Sequence, residues 1–203
     1  MKIIEDARAP NPRRVRVFLA EKNIQIEYEQ LDITEFDHKK PGFSEMNPLQ
    51  RVPVLALDDG TAISESIAIC RYFEELHPEP PLMGAGPEGK ARTEMWQRRM
   101  ELNLLHPVAQ TFRHLHPAMK ELEQPQVAAW GEANRPRVLN MLRLLNKELS
   151  GRPFIAGDEF TIADITAMVA VDFMKPAKIE RGDDLPSLDR WYGEVSSRPS
   201  ARA

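Results

Sequence analysis

The sequence predicts an α/β unit followed by an all-α helical bundle, and three observations carry that reading. Short strand-like runs alternate with helical patterns through residues 1–77. A stretch rich in proline and glycine, "HPEPPLMGAGPEG", follows, and sets a linker at 78–87. Beyond it, residues 88–203 carry long helical patterns and almost nothing with a period of two. Two domains are expected, the smaller one first.

In the first half, residues 2–4 form a short strand candidate. A helix over 12–22 follows, with Val15, Phe18 and Leu19 at helical spacing. Asn11 suits its cap and Pro12 its first position. The run "IQIEYEQLDI", 24–33, alternates apolar and polar as a half-buried strand does. A short helix then precedes a hairpin, "VPVLAL" and "TAIS" around "DDG". The helix "SESIAICRYFEEL", 64–76, starts on serine and places Ile67, Cys70, Tyr72, Phe73 and Leu76 on its apolar side. The order β-α-β-(short helix)-β-β-α is a βαβ unit followed by a ββα unit, the thioredoxin-like arrangement.

In the second half, helices are expected near 88–116, 125–149, 161–174 and 187–197. The clearest start is "EFTIADI". Thr161 is a good cap, Asp164 completes a capping box, and Phe160 with Ile165 can close a hydrophobic staple.

Bulk properties narrow the function. The 203 residues are 42% hydrophobic and 29% charged, ordinary for a globular chain. A formal net charge of −4 gives no general attraction to nucleic acid. Arg13, Arg14 and Arg16 form a local basic cluster that reads as a solvated helix face. No apolar run approaches a membrane span, and "MKIIEDARAP" lacks a signal peptide's apolar core. One cysteine fits a reducing cytoplasm, and with five scattered histidines it makes no structural zinc site. No metal, nucleic acid or membrane is expected as a partner; a small molecule is.

Two short motifs could carry chemistry. In "RVPVL", Val52–Pro53 interrupts an apolar strand. A cis bond there would expose the Val52 backbone to an extended, peptide-like ligand, whereas a trans edge strand is the commoner outcome. In "SES", the helix start with the Ser66 hydroxyl can hold a carboxylate, and Glu65 can pair with an ammonium at the same place. An α-amino acid carries both charges on one carbon. The alternative is an acidic first turn with a plain cap.

Together, "NPLQRVPVLALDDGTAISESIAICRYFEE" resembles the glutathione-binding segment of cytosolic glutathione transferases, and "RPFIAGDEFTIADI" and "LPSLDRWYGEVSSRP" are similar to that family's later motifs. The resemblance covers nearly the whole chain. It implies glutathione as co-substrate, with Val52, ahead of Pro53, pairing with the cysteinyl backbone. Glu65 and Ser66 would hold the γ-glutamyl end. Arg51, and Lys40 rather than Lys39, would meet the carboxylates. Gln50 stands where the family pattern has glycine.

The family's usual Ser, Cys or Tyr beside the sulfur is missing, because Ala9 occupies that position. Asn11 and the helix start remain as thiolate-stabilising groups, as in bacterial nu-class-like members, against the reading of Asn11 as a cap alone. Cys70 in "SIAICRYF" reads as buried and inert. His106, His114, His116, Met100, Leu104 and Phe112 could line a second-substrate pocket or belong to face and core. The resemblance further implies a homodimer through the 64–76 and 88–116 helices, with Arg71 and Trp96 as contacts. The activity implied is conjugation of glutathione to electrophiles. The alternatives are a glutathione-dependent disulfide reductase or peroxidase, and a non-catalytic binding scaffold. A zeta-like isomerase fits less well, since "APN" replaces its "SSC".

Overall fold

The computed structural model describes residues 1–182 and 184–203. The chain divides into two compact units, residues 1–82 with 202–203, and residues 83–201.

The first unit is built on a four-stranded mixed sheet in the order β2-β1-β3-β4, with β1 Lys2–Glu5, β2 Glu27–Gln30, β3 Val54–Ala56 and β4 Ala62–Ser64. β1 runs parallel to β2, and β3 runs antiparallel to both β1 and β4. The parallel pair needs a crossover, which α1 Pro10–Glu21 supplies. The antiparallel pair needs only the turn at Gly60, whose φ of 87° is glycine's own region. α1 packs beside α3 Ser66–Leu76, and α2 Pro41–Met46 follows a 3-10 turn at Asp37–Lys39. The second unit is helical. α4 Gly86–Met100 passes through a π-helical stretch, Glu101–Leu105, into α5 His106–Leu115. α6 Ala128–Leu149, α7 Ile162–Phe173 and α8 Pro186–Ser197 complete it. The architecture is the thioredoxin-like unit and helical unit that the element order predicts. Among the described residues, no helix is long and apolar enough to cross a membrane.

Several details differ from the sequence reading, each for a local reason. α1 begins at Pro10, with Ala9 as its cap and no side-chain bond there, so Asn11 lies inside the first turn and is not the cap. The helix expected over 88–116 is interrupted at Glu101–Leu105. Pro107 lacks an amide and its ring crowds the carbonyl four residues back, and the wider π turn relieves that crowding. The strand expected over 24–33 is paired only at Glu27–Gln30.

The capping box forms as the sequence predicts. Asp164 is fully buried. Its Oδ1 accepts from the Ile155 amide and Trp191 Nε1, both at 2.9 Å, and its Oδ2 from the Thr161 amide and hydroxyl, both at 3.0 Å. Burial pushes the carboxyl up and these four donors oppose it. At the α5–α6 crossing, a β-carbon on Gly131 would sit 2.6 Å from Leu115 Cγ, so only glycine fits there. Trp96 is 3% exposed, its ring covered by Arg99 at 4.7 Å and Arg152 at 4.5 Å, so the expected contact role at the protomer surface does not hold for it. Met100 and Leu104 are fully buried core. His114 and His116 each use Nδ1 to accept a backbone amide, from Val127 at 3.0 Å and Ala118 at 3.2 Å. Phe112 stacks on His116 and meets Phe173 at a tilt, ring centroids 5.0 Å apart.

Candidate active site

Strand register brings several of the sequence-predicted residues to one end of the sheet. Ile4 pairs with Val54, and Val54 with Ser64. The end of β1, the approach to β3 and the exit of β4 are therefore neighbours. From them project the first turn of α1, the Val52–Pro53 bond, and Glu65 with Ser66.

The β1–α1 turn is shaped by charge. Asp6 accepts from the Arg8 amide and Nε, both at 2.9 Å, from Arg8 Nη2 at 2.6 Å, and from the Ile33 amide at 3.2 Å. Burial alone would raise the Asp6 carboxyl, but these bonds hold it below the usual range. Arg8 also reaches Asp32 at 2.6 Å, and Asp32 is held down at about 2, chiefly by the Thr34 hydroxyl and then by Arg8. Beneath the turn, buried Glu5 takes both oxygens to Arg16 Nη1 at 2.8 Å.

The first turn of α1 has prolines at 10 and 12. Arg13 N–H returns to Ala9 at 3.4 Å. The only first-turn amide without such a fate is that of Asn11. A helix start of this kind offers an anion one backbone donor, where an ordinary one offers several. Asn11 is exposed, and its Oδ1 accepts from Arg14 Nη2 at 2.8 Å. A guanidinium only donates, so the oxygen must face it, and the amide nitrogen is turned away.

The Val52–Pro53 bond is cis. Val52 lies outside the paired residues of β3, and neither its N–H nor its C=O has a hydrogen-bond partner among the described residues. The loop leading to it is fixed by Asn47, 3% exposed, whose Nδ2 donates to the Arg51 carbonyl at 2.8 Å. Gln50 has a φ of 53°, which explains why glycine suits this position in the family pattern. Its Nε2 donates to Ser44 Oγ at 3.1 Å. The departure at this position preserves the turn at a backbone cost of about 1–2 kcal/mol.

Glu65 is the residue before α3 and has φ 72° and ψ 116°, a sparsely populated conformation for a residue with a β-carbon. Its carboxylate is exposed and makes no ion pair among the described residues. Ser66, 3% exposed, is bound through Oγ by Arg14 Nη2 at 2.7 Å. Asn11 and Ser66 are thus joined through one guanidinium, which the sequence reading had placed on a solvated face.

Lys40 is 70% exposed, with Nζ 2.5 Å from Asp37 Oδ1, and that hydrogen bond followed by the Asp37 charge raises its pKa. Lys39 Nζ sits 4.5 Å over the Phe36 ring. No bond joins either lysine to Asn11, Val52, Glu65 or Ser66 among the described residues. Arg51 is exposed beside them. His38 between these cations is 5% exposed, and burial followed by the Lys39 charge lowers its pKa. Cys70 is fully buried and burial pushes its thiol up to about 12, so it is no nucleophile.

A strained, exposed acid, a backbone segment without hydrogen-bond partners and an oriented amide at one end of the sheet suit an extended zwitterionic peptide. Known proteins resemble this chain in both halves. Residues 9–76 match the glutathione S-transferase N-terminal domain, and residues 104–199 the glutathione S-transferase C-terminal domain. Glutathione S-transferase 2 of Saccharomyces cerevisiae is 37% identical over 205 residues, covering 100% of this chain and 88% of that protein. A protein of Caenorhabditis elegans named "Probable maleylacetoacetate isomerase" is 34% identical over 158 residues, 75% of this chain and 69% of its own. The crystal structure of a glutathione S-transferase domain-containing protein from Marinobacter aquaeolei superposes with a TM-score of 0.96 at 36% identity, covering 98% of this chain and 99% of that one. Both matching domains, in the order the fold requires, and a relative at 37% identity along the whole chain make this chain a member of the glutathione S-transferase family.

Proposed function

We propose that this chain binds glutathione at the end of the sheet described above and stabilises its thiolate with Asn11, for attack on electrophiles or disulfides. The observation that carries this reading is the Arg14 bond to Asn11 Oδ1, because it turns the amide N–H group outward. Glu65 receives the ligand ammonium and Ser66 its α-carboxylate. The unpaired Val52 backbone, ahead of Pro53, exchanges hydrogen bonds with the cysteinyl residue, a one-residue form of strand addition. Arg51 and Lys40 meet the glycyl carboxylate.

Asn11 is no base, so the thiol proton leaves to solvent. Asn11 then donates from its side-chain amide, and from its backbone amide, to the anion that remains. Lowering a thiol pKa by two units from about 8.5 takes roughly 2.7 kcal/mol of preference for the anion. A charge-assisted hydrogen bond and a helix terminus together reach that value. In conjugation, sulfur forms a bond to an electrophilic carbon, and the leaving group departs with its bonding pair. With a disulfide, sulfur attacks sulfur and a second thiolate leaves. Cys70, buried and at about 12, favours glutathione itself as the only redox thiol in that second reading.

The unit boundaries follow the same proposal, with glutathione held by 1–77 and a helical domain from 88 onward. The protein is proposed to be a cytoplasmic homodimer through α3 and α4, where Leu76 and Met95 are exposed at 51% and 41%. Thiolate absorbance of bound glutathione across a pH titration tests the central claim. A depressed thiol pKa that returns toward 8.5 in Asn11→Ala, with little loss of affinity, is the expected result. Equal loss of affinity and turnover in that variant would remove Asn11 from the sulfur.

A further inference from the structure

Arg14 is 3% exposed although it sits in a run of arginines near the start of a helix. One nitrogen of its guanidinium, Nη2, donates to Asn11 Oδ1 at 2.8 Å and to Ser66 Oγ at 2.7 Å. Asn11 is one helical turn away, whereas Ser66 is 52 residues away and belongs to α3. We propose that Arg14 is a positioning residue that sets the direction of two neutral donors at once. It aims the Asn11 amide at the sulfur and the Ser66 hydroxyl at the α-carboxylate of the same ligand. This rests on the reading of Asn11 and Ser66 given above and deepens it.

An amide has two prongs of opposite character, and in water it presents either. Beside a guanidinium only the oxygen can face inward, so the N–H prong faces the crevice. A serine hydroxyl has one proton and two lone pairs. With a lone pair accepting from Arg14, its proton is committed to another acceptor. Accepting a charge-assisted bond also polarises each group into a stronger donor. Both anionic ends of the ligand therefore meet donors that need no reorientation, the condition under which electrostatic stabilisation is most effective. Arg14 itself stays behind these two side chains and touches no ligand atom.

A buried arginine could instead be only a clamp between α1 and α3. The two roles separate in the thiol pKa of bound glutathione and in a double-mutant cycle. Arg14→Met should raise that pKa by about one unit, a roughly tenfold loss of thiolate at pH values below it. Affinity for S-methylglutathione, which has no thiol to ionise, should fall through Ser66. In an Asn11→Ala background, Arg14→Met should add nothing to the thiol shift, because its effect passes through Asn11. Additive shifts would mean a direct field or general loosening, and would overturn the proposal.

Should Arg14→Met fail to fold, Asn11→Asp provides the test. A carboxylate keeps the Arg14 bond and the helix, yet turns an oxygen anion toward the sulfur. The thiol pKa should then rise above that of Asn11→Ala. A value equal to wild type refutes the orientation. If wild type shows no depressed thiol, the thiolate reading itself fails. If Asn11→Ala abolishes the depression while Arg14→Met leaves it intact, that reading stands and the role of Arg14 is lost.

Discussion

Replacing Asp164 tests whether the second unit is organised as its hydrogen bonds indicate. Four donors converge on this fully buried carboxylate, two on each oxygen. Asp164→Ala strands the amides of Ile155 and Thr161, the Thr161 hydroxyl and the Trp191 indole. An unsatisfied buried donor costs about 1–3 kcal/mol. Against this stands the relief of no longer burying a carboxylate whose pKa burial pushes up. The net loss is about 3–5 kcal/mol, a large share of the 5–15 kcal/mol that holds a typical domain. Asp164→Asn retains one acceptor oxygen and two of the four bonds, so about half that loss is expected. Urea unfolding followed by far-UV circular dichroism gives both values, and intrinsic tryptophan fluorescence, to which Trp191 inside the network contributes, follows the same transition. Losses below about 1 kcal/mol for both variants, or equal losses for the two, would refute the counting of donors.

Other expectations follow from burial and charge. Cys70 should resist thiol reagents in the native protein and react fully once urea unfolds it, because the thiol at about 12 is both buried and protonated. Gly131→Ala gains about 1 kcal/mol of helix propensity but overpacks Leu115 at a cost of about 1–3 kcal/mol, so the midpoint of thermal unfolding should fall. Lys22, with Nζ bonded to the carbonyls of His77 and Pro80 and paired with Glu74 at 2.8 Å, leaves a buried carboxylate behind when mutated to methionine. That variant should lose about 3–5 kcal/mol, read by the same unfolding assay. Asp6 has a folded pKa below its unfolded value, so its contribution is present above about pH 4 and disappears as the pH falls through the lower folded value. Asp6→Asn should therefore flatten the acid limb of a stability–pH curve and leave its alkaline limb unchanged.

Much of the fold is legible because it rests on local signals. Val15, Phe18 and Leu19 are buried as their spacing requires, and Thr161 and Asp164 close the box that their separation allows. The start of α1 is ambiguous from sequence, since prolines at both 10 and 12 suit a first helical position. The π stretch could be suspected from Pro107, but where the helix takes up the slack depends on packing. Arg14 is the informative miss. Its spacing from Asn11 is visible, whereas the approach of Ser66 across 52 residues is a property of strand register. Trp96 was misplaced for a similar reason. A tryptophan on an amphipathic helix reads as a surface anchor until Arg152, far away in the chain, is known to lie on its ring. The cis bond at Val52–Pro53 is the rarer of two outcomes that spacing left open.

The paired prolines of α1 limit how this crevice could be rebuilt. A serine introduced at Ala9 would place a hydroxyl at the cap position. A capping hydroxyl bonds the second or third amide of the helix. Pro12 has removed the third, so the new side chain would bond the amide of Asn11 and consume the one backbone donor that this helix start presents. The serine would therefore compete with any bound anion for that one hydrogen.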